Sequence, residues 1–249
     1  MTPIPPIRIA MWSGPRNIST AMMRSFENRP DCAVVDEPFY AAFLAASGGD
    51  HPMRAEVMAS QPQDWRAVVV GLSGSAAAGP ALIYEKHMAH HMLPAFGLDW
   101  TADCRNAFLI RAPEEVLASY LAVRGEARLE DIGVVRQHEL FKREAERRGR
   151  PPPVLRGADV LVDPKGMLNA LCAALEIPFR TEMLAWPAGR RASDGVWAPA
   201  WYGAVEHSTG FVRPAERDAT PLPAALQRIA DAARPHYEAL AAHRLTVSS

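Results

Sequence analysis

The sequence predicts an α/β protein in three layers, with a parallel sheet of about five strands covered by helices on both faces. One observation predicts this class, and a second predicts the number of domains. Short apolar runs alternate along the chain with longer segments whose apolar residues recur at helical spacing. The chain also has no internal repeat and no linker between two complete cores, so we expect residues 1–249 to form one domain.

The predicted strands are the apolar runs 7–12, 33–37, 81–86, 106–111 and 154–155. Prolines and acids at a first turn, as in Pro113-Glu114-Glu115, are typical of helix starts. The predicted helices are 21–26, 39–46, 53–60, 113–123, 132–148, 164–175 and 222–240. Residues 68–70 fit either a strand or the end of a helix. We expect a loop at 72–80, a helical insertion or cap at about 128–150, and an irregular segment at about 178–222.

Composition limits the classes of partner. Hydrophobic residues make up 49% of the chain, charged residues 22%, and the formal net charge is −1. Because the charges balance, the sequence gives no reason to expect nucleic acid or an acidic membrane as a partner. The three scattered cysteines are typical of buried thiols, and the N-terminus lacks the basic and apolar regions of a signal peptide. We expect a cytoplasmic protein without a membrane span; the oligomeric state stays open, with a homodimer among the alternatives.

Polar side chains stand where the predicted strands end. The first strand is followed by a polar loop, the second by Glu37, the third by Lys86-His87 and the fourth by Arg111. In an open parallel sheet, ligands bind at the carboxyl ends of the strands. We therefore expect these four points to converge on one ligand site.

The first of these points is the loop Gly14-Pro15-Arg16-Asn17-Ile18-Ser19-Thr20, which joins a strand to a helix. Free N–H groups at a helix start attract an anion, and Arg16 would add charge-assisted hydrogen bonds. The triphosphate-binding pattern G-x-x-x-x-G-K-[ST] is absent. Ser19 and Thr20 can equally be ordinary helix caps.

Two further segments carry cations near polar groups. Arg111 ends a predicted strand and Ser119 lies two turns into the next helix, so both can reach one ligand. Near the C-terminus, Arg190-Arg191-Ala192-Ser193-Asp194-Gly195-Val196-Trp197 places two arginines before a glycine. Each segment also has a purely structural interpretation, as a sheet-edge arginine in one case and a surface turn in the other.

Together, the three segments resemble PAPS-dependent sulfotransferases. The loop is similar to the family's 5′-phosphosulfate loop in its bacterial form, Pro-Arg-Ser-Gly-Ser/Thr-Thr, and Arg111 to Ser119 keeps the spacing of the 3′-phosphate motif Arg-x-Pro-x-x-x-x-x-Ser-Tyr. Residues 190–197 resemble Arg-Lys-Gly-x-x-Gly-x-Trp-Lys, although alanine replaces the first glycine and the final lysine. The resemblance implies a P-loop-type fold with strand order 2-3-1-4-5 and 3′-phosphoadenosine-5′-phosphosulfate (PAPS) as sulfuryl donor.

The resemblance also assigns roles. The loop from Gly14 to Thr20 would bind the 5′-phosphosulfate, with Arg16 steadying the departing oxygen. Arg111 and Ser119 would bind the 3′-phosphate, and Arg190 and Arg191 would close over it. The acceptor, a small molecule with a hydroxyl or amine, would lose its proton to His87, as in the family's Lys-Thr-His segment, or to Glu37. Glu37 could instead simply pair with Arg16 or Arg24.

One departure from the family bears on the loop. Asn17-Ile18 stands where the family has Ser-Gly, and isoleucine resists the positive φ that glycine allows. We therefore expect a different backbone geometry, or less close binding of the donor. Four aromatic residues either wall the acceptor pocket or anchor their segment to the core: Trp197, Trp201, Tyr202 and Phe211.

Other classes of function stay open. A nucleotide-dependent phosphotransferase would need magnesium and a lysine in the loop, and a non-catalytic relative would keep the anion pocket for a phosphorylated ligand. Metal binding is a further alternative, suggested by His87, His90 and His91, because two imidazoles four residues apart on a helix can share zinc. The H-E-x-x-H glutamate is missing and no cysteine is near in sequence, so we expect no metal.

Overall fold

Five parallel strands form one sheet in the order β2-β3-β1-β4-β5 in this computed structural model, which describes residues 5–74, 79–124, 127–213 and 221–247. The strands are β1 (Ile7–Ser13), β2 (Cys32–Asp36), β3 (Leu82–Met88), β4 (Cys104–Ile110) and β5 (Val154–Arg156). The predicted fold class and strand order are confirmed. Two bounds differ by two residues: β3 continues beyond its predicted end at Lys86, and β4 begins before its predicted start at Asn106.

The described residues contain eleven α-helices. They are α1 (Ser19–Glu27), α2 (Tyr40–Ser47), α3 (Arg54–Ser60), α4 (Trp65–Gly74), α5 (Pro113–Arg124), α6 (Val134–Arg148), α7 (Gly157–Val162), α8 (Pro164–Ala174), α9 (Ala198–Trp201), α10 (Gly203–Glu206) and α11 (Ala224–Ala241). Short 3₁₀ helices lie at Ala89–His91, Asp99–Asp103, Glu130–Ile132 and Thr181–Leu184.

Two apolar cores lie on opposite faces of the sheet, because successive side chains of a strand alternate between faces. On β1, Trp12 packs into the core that includes Phe141 of α6 and Ala233 of α11. Its neighbour Met11 faces the other core, with Met22 of α1 and residues of α8. The four α8 residues Met167, Leu168, Leu171 and Cys172 are buried there, at the helical spacing that predicted this helix.

Helix α6 occupies most of the range expected to be an insertion or cap. It packs on the sheet beside α11, with Leu140 and Phe141 buried in the core. The side-chain amide of Gln137 donates hydrogen bonds to the backbone oxygens of Trp12 and Leu109, both at 2.9 Å. Helix α6 therefore joins the ends of β1 and β4.

Two undecided stretches now have a structure. Residues 68–70 belong to α4, where Val68 is buried and Val70 is 72% exposed, as a helix facing the core on one side requires. Helix α4 continues to Gly74, so the loop expected at 72–80 begins later, and its residues 75–78 lie outside the described part of the chain. The segment expected to be irregular holds only short helices up to residue 213; residues 214–220 are likewise outside the described part.

None of the helices in the described ranges combines the length and apolar character that a bilayer span requires.

Candidate functional site

The loop between β1 and α1 places its one left-handed residue at Arg16. Arg16 has φ 54°, whereas Ile18 keeps φ −84° and ψ 24°. The side chain of Asn17 supports this path, since its Nδ2 donates to the oxygen of Leu109 at 3.2 Å and its Oδ1 accepts from the N–H of Ile18 at 2.9 Å. Isoleucine is therefore tolerated at position 18, because the loop does not require a positive φ there.

The N-terminus of α1 points into this loop. Ile18 precedes the helix and its apolar side chain gives no capping hydrogen bond. The first N–H groups of a helix have no partner within the helix, and its dipole favours negative charge at that end. The first turn, which begins with Ser19 and Thr20, therefore offers an anion both backbone donors and hydroxyls.

Two arginines meet at this helix end. Arg16 Nε lies 3.0 Å from Ser119 Oγ, and Arg111 Nη1 donates to the backbone oxygen of Arg16 at 2.5 Å. Arg111 also pairs with Glu115 at 2.9 Å and its side chain is 33% exposed. Burial and the neighbouring positive charge of Arg111 lower the pKa of Arg16. The structure thus brings together the loop and the Arg111–Ser119 pair, two segments that lie about ninety residues apart.

A buried ionic cluster lies at the ends of β2 and β3. The ammonium of Lys86 contacts Asp36 Oδ1 at 3.0 Å, Glu37 Oε1 at 2.6 Å and the hydroxyl of Tyr202 at 2.6 Å. Burial alone would lower the pKa of Lys86, but the carboxylates of Asp36 and Glu37 outweigh it and raise the pKa. From the sequence, Lys86 was expected only as a strand-end charge, because its partners Asp36 and Tyr202 lie 50 and 116 residues away along the chain.

Glu37 presents its second carboxylate oxygen away from Lys86. Oε2 lies 3.9 Å from Nδ1 of His91, and the backbone of Glu37 has φ 40° with its N–H bonded to the oxygen of Lys86 at 2.9 Å. Burial, together with the nearby charge of Asp36, raises the pKa of Glu37 despite the opposing effect of Lys86. Its ion pair is with Lys86; the alternative partner Arg24 instead binds Asp194 at 2.7 Å.

His87 lies apart from the strand-end groups, inside the core. Its Nε2 is 3.0 Å from Glu85 Oε2, its ring stacks on Trp12 with centroids 4.6 Å apart, and it is 1% exposed. Glu85 also binds Arg8 at 2.6 Å. The physical reason is the length of β3: since the strand continues to Met88, His87 is a strand residue and faces the side opposite to Lys86. Of the two predicted strand-end residues, only Lys86 reaches the cluster with Glu37.

Residues 190–197 dock against α1 and the end of β2. Asp194 pairs with the buried Arg24 and accepts from the N–H of Arg191 at 2.8 Å, while the N–H of Gly195 donates to Asp36 Oδ2 at 3.1 Å. Arg190 Nε lies 3.6 Å from Glu206. The predicted arginines of this segment thus flank a turn that is fixed to the same carboxylate as Lys86.

The aromatic residues near the C-terminus serve mainly as anchors. Trp197 is 1% exposed and Tyr202 is 3% exposed, and both pack in one cluster with Tyr40 of α2. Phe211 packs edge-to-face on Trp186 with centroids 5.1 Å apart. Across the described ranges, no three histidine, cysteine or acidic side chains are grouped as a metal site would require.

Known proteins resemble this chain in sequence over most of its length. The family profile described as "Sulfotransferase domain" matches residues 7–244. "Branched-chain-amino-acid aminotransferase-like protein 1" of Arabidopsis thaliana is 36% identical over 238 residues, which is 94% of this chain and 42% of that protein. The second protein of that name in the same plant is 34% identical over 83% of this chain and 36% of its own length. The chain thus spans less than half the length of these relatives.

Solved structures share the fold at low identity. The "Sulfotransferase Domain from the Curacin Biosynthetic Pathway" superposes with a TM-score of 0.54 at 18% identity, covering 92% of this chain and 98% of that one. A sulfotransferase from Alicyclobacillus acidocaldarius gives a TM-score of 0.53 at 13% identity and covers 98% of both chains.

Proposed function

The chain belongs to the sulfotransferase family, and we propose that it moves a sulfuryl group from PAPS to a hydroxyl or amine of a small-molecule acceptor. The observation that carries the proposal is the meeting of Arg16 and Arg111 at the N-terminus of α1. The acceptor side would lie at Glu37, because β3 stands directly between β1, which leads into the loop, and β2, which leads into Glu37.

The residues at this helix end fit a donor with anionic groups at its 5′ and 3′ positions. The positive charge of Arg111 lies close enough to disfavour that of Arg16, and a bound anion relieves this repulsion. The first turn of α1 with Arg16 suits the 5′-phosphosulfate, and Arg111 with Ser119 suits the 3′-phosphate. Such a division accounts for both arginines and for the uncapped helix.

In the reaction, the acceptor oxygen or nitrogen forms a bond to sulfur while the bond from sulfur to the bridging phosphate oxygen breaks. Negative charge then develops on that departing oxygen, where Arg16 and the α1 dipole would stabilise it. The acceptor proton passes to Oε2 of Glu37, the carboxylate oxygen that Lys86 does not hold. Adenosine 3′,5′-bisphosphate leaves, and Glu37 later releases its proton to solvent.

Glu37 is favoured over His87 as the base. A base must come within hydrogen-bond reach of the acceptor proton. Glu37 stands at the strand-end edge with a side chain that is 10% exposed, and its raised pKa improves its capacity to accept a proton. His87 is enclosed between Trp12 and Glu85 on the other face of the sheet.

Binding of adenosine 3′,5′-bisphosphate without metal tests the donor site. At about a hundred times its dissociation constant, it should raise the free energy of unfolding by roughly 2.7 kcal/mol. Arg111→Ala should lose most of that stabilisation. Arg66→Ala is the matched control, because Arg66 is an exposed cation paired with Asp64 on the surface.

Three results would contradict the proposed donor site. Stabilisation by ADP-magnesium alone would favour a phosphotransferase, and no response to either nucleotide would favour a binder of another phosphorylated ligand. Equal bisphosphate affinity in wild type and Arg111→Ala would remove Arg111 from the site.

Turnover tests the base. We expect Glu37→Gln to keep bisphosphate affinity and to lose between about a hundredfold and ten-thousandfold in sulfuryl transfer, measured as PAPS consumption with a panel of small alcohols, phenols and amines. His87→Gln should keep turnover in proportion to the protein that stays folded. The reverse pattern would assign the base to His87.

A further inference from the structure

The buried cluster around Lys86 contains Tyr202, a residue that has no part in the proposed reaction. Lys86, Asp36, Glu37 and Tyr202 are all buried. An ammonium carries three N–H donors, and here the three go to Asp36, Glu37 and Tyr202. Burying a cation with two carboxylates carries a large desolvation cost, and apolar residues of similar volume would often be as stable. The cluster therefore needs an explanation beyond packing.

The hydroxyl of Tyr202 is fixed from three sides. It donates to the Asp36 carboxylate, at 2.8 Å from Oδ1 and 2.7 Å from Oδ2, and accepts from Lys86 Nζ at 2.6 Å and from the indole Nε1 of Trp197 at 3.0 Å. A hydroxyl has one proton and two lone pairs, so these partners use its whole capacity. Its oxygen can occupy only one place.

The same contacts connect the C-terminal segment to the base. Asp36, which accepts from Tyr202, also accepts from the N–H of Gly195, and Asp194 beside it pairs with Arg24 of α1. Residues 190–202 thus reach the cluster through Asp36 and Tyr202. On the other side, Lys86 holds only Oε1 of Glu37, so the position of Lys86 decides where Oε2 points.

We propose that Tyr202 is a positioning residue for the acceptor-side base: it fixes Lys86, and through Lys86 the carboxylate of Glu37, when residues 190–202 are docked. The inference rests on the proposed function, in which Glu37 accepts the acceptor proton. In the proposed reaction, Tyr202 touches neither the donor nor the acceptor. It acts by keeping Oε2 of Glu37 facing the acceptor side.

A purely structural tyrosine would behave differently from a positioning one. Burial raises the pKa of Glu37, while the positive charge of Lys86 and its hydrogen bond to Glu37 oppose that rise. Without the hydroxyl, Lys86 loses one anchor and is held less firmly against the carboxylate of Glu37. The carboxylate should then hold its proton to higher pH. A residue that only fills space would alter stability without moving this titration.

Tyr202→Phe removes the hydroxyl and keeps the ring. Its matched control is Tyr84→Phe, since Tyr84 lies on β3 two residues before Lys86 and its buried hydroxyl has no hydrogen-bond partner in the described structure. The first readout is the pH titration of the Glu37 carboxyl carbon by ¹³C NMR, with the signal assigned from Glu37→Gln. The second is release of inorganic sulfate from PAPS, with water as the acceptor, followed against pH.

We expect Tyr202→Phe to move the Glu37 titration and the acidic limb of the rate profile upward by about half a pH unit or more, and to lower kcat about tenfold. Bisphosphate affinity should stay within about twofold of wild type, which separates this result from a failure of the donor site. Tyr84→Phe should change neither titration nor rate. An unmoved Glu37 titration in folded Tyr202→Phe, or an equal loss of rate in Tyr84→Phe, would overturn the proposal.

Discussion

Arg16 combines a strained backbone with a half-buried charge. Its φ of 54° lies in the left-handed region, which costs a residue with a Cβ about 1 kcal/mol. The conformation persists because Arg111 binds its carbonyl and Ser119 binds its guanidinium. The strain thus has a function: it turns the side chain toward Ser119 and the carbonyl toward Arg111.

Replacing Arg16 with glycine and with alanine separates strain from charge. Glycine adopts a positive φ without a Cβ clash, so the free energy of unfolding of Arg16→Gly should exceed that of Arg16→Ala by about 1 kcal/mol. Both variants lack the guanidinium and should lose most of their affinity for adenosine 3′,5′-bisphosphate. Urea denaturation and calorimetric titration measure the two effects. Equal stability of the two variants would show that position 16 carries no backbone strain.

For individual residues, the sequence predicted the positions of some side chains correctly and of others wrongly. Arg16, Arg111 and Ser119 were predicted to meet, and they do, because motif spacing and strand-end position both constrain them. His87 was expected at a strand end. A difference of two residues in the length of β3 turned it to the opposite face, and strand bounds are the feature that sequence patterns define least. Tyr202 joined the cluster from 116 residues away, which no local pattern could reveal.

The junction of β5 and α7 supports the loop between β1 and α1. A Cβ on Gly157 would lie 2.6 Å from Oδ1 of Asn17. That oxygen accepts the N–H of Ile18, while the Asn17 amide binds the oxygen of Leu109. The glycine therefore allows a helix start on the neighbouring strand to come close enough to support the loop from behind.

Gly157→Ala should displace the Asn17 side chain and loosen the loop. We expect bisphosphate affinity to fall about tenfold, because a binding loop shifted by a few tenths of an ångström loses hydrogen-bond geometry. Gly203→Ala is the matched control, since a Cβ there meets nothing within 4 Å. Titration calorimetry gives the affinities. Unchanged binding in Gly157→Ala would mean that Asn17 does not support the donor loop.

Helices and strands were predicted correctly from the sequence where the periodicity of their apolar residues was strong. Helix α8 and the strands β1 and β4 follow patterns set by burial on one or both faces. Helix α4 was undecided, because three consecutive valines suit a strand as well as a helix until the surrounding fold chooses. The contact between Gly157 and the loop could not be read from the sequence, because it depends on how closely the start of α7 approaches the side chain of Asn17.

For the whole molecule, charge is balanced but unevenly placed. The chain has 27 basic and 28 acidic residues and a formal net charge of −1. Long-range attraction of an anion is therefore small, and in the proposed site the binding would come from the arginines at the α1 terminus. Because Arg111 is partly exposed, salt can screen its attraction for a ligand.

Added salt should weaken bisphosphate binding much more than it changes the free energy of unfolding. Raising sodium chloride from about 50 mM to 500 mM shortens the screening length severalfold, so bisphosphate affinity should fall by roughly tenfold. The free energy of unfolding should change by less than about 1 kcal/mol, since surface ion pairs contribute little each. Calorimetry and urea denaturation at both concentrations provide the comparison. Affinity that is independent of salt would argue against a site built on guanidinium groups.

Helix α6 has one more consequence for that site. The carboxyl edge of a parallel sheet exposes peptide oxygens, whose partial negative charge would repel a phosphate. Gln137 occupies the oxygens of Trp12 and Leu109, and Asn17 adds a second amide at Leu109. Two neutral side chains thus mask the unfavourable polarity of the strand ends. In the proposed donor site, these amides would reduce the repulsion between the strand ends and an anion, while the arginines attract it.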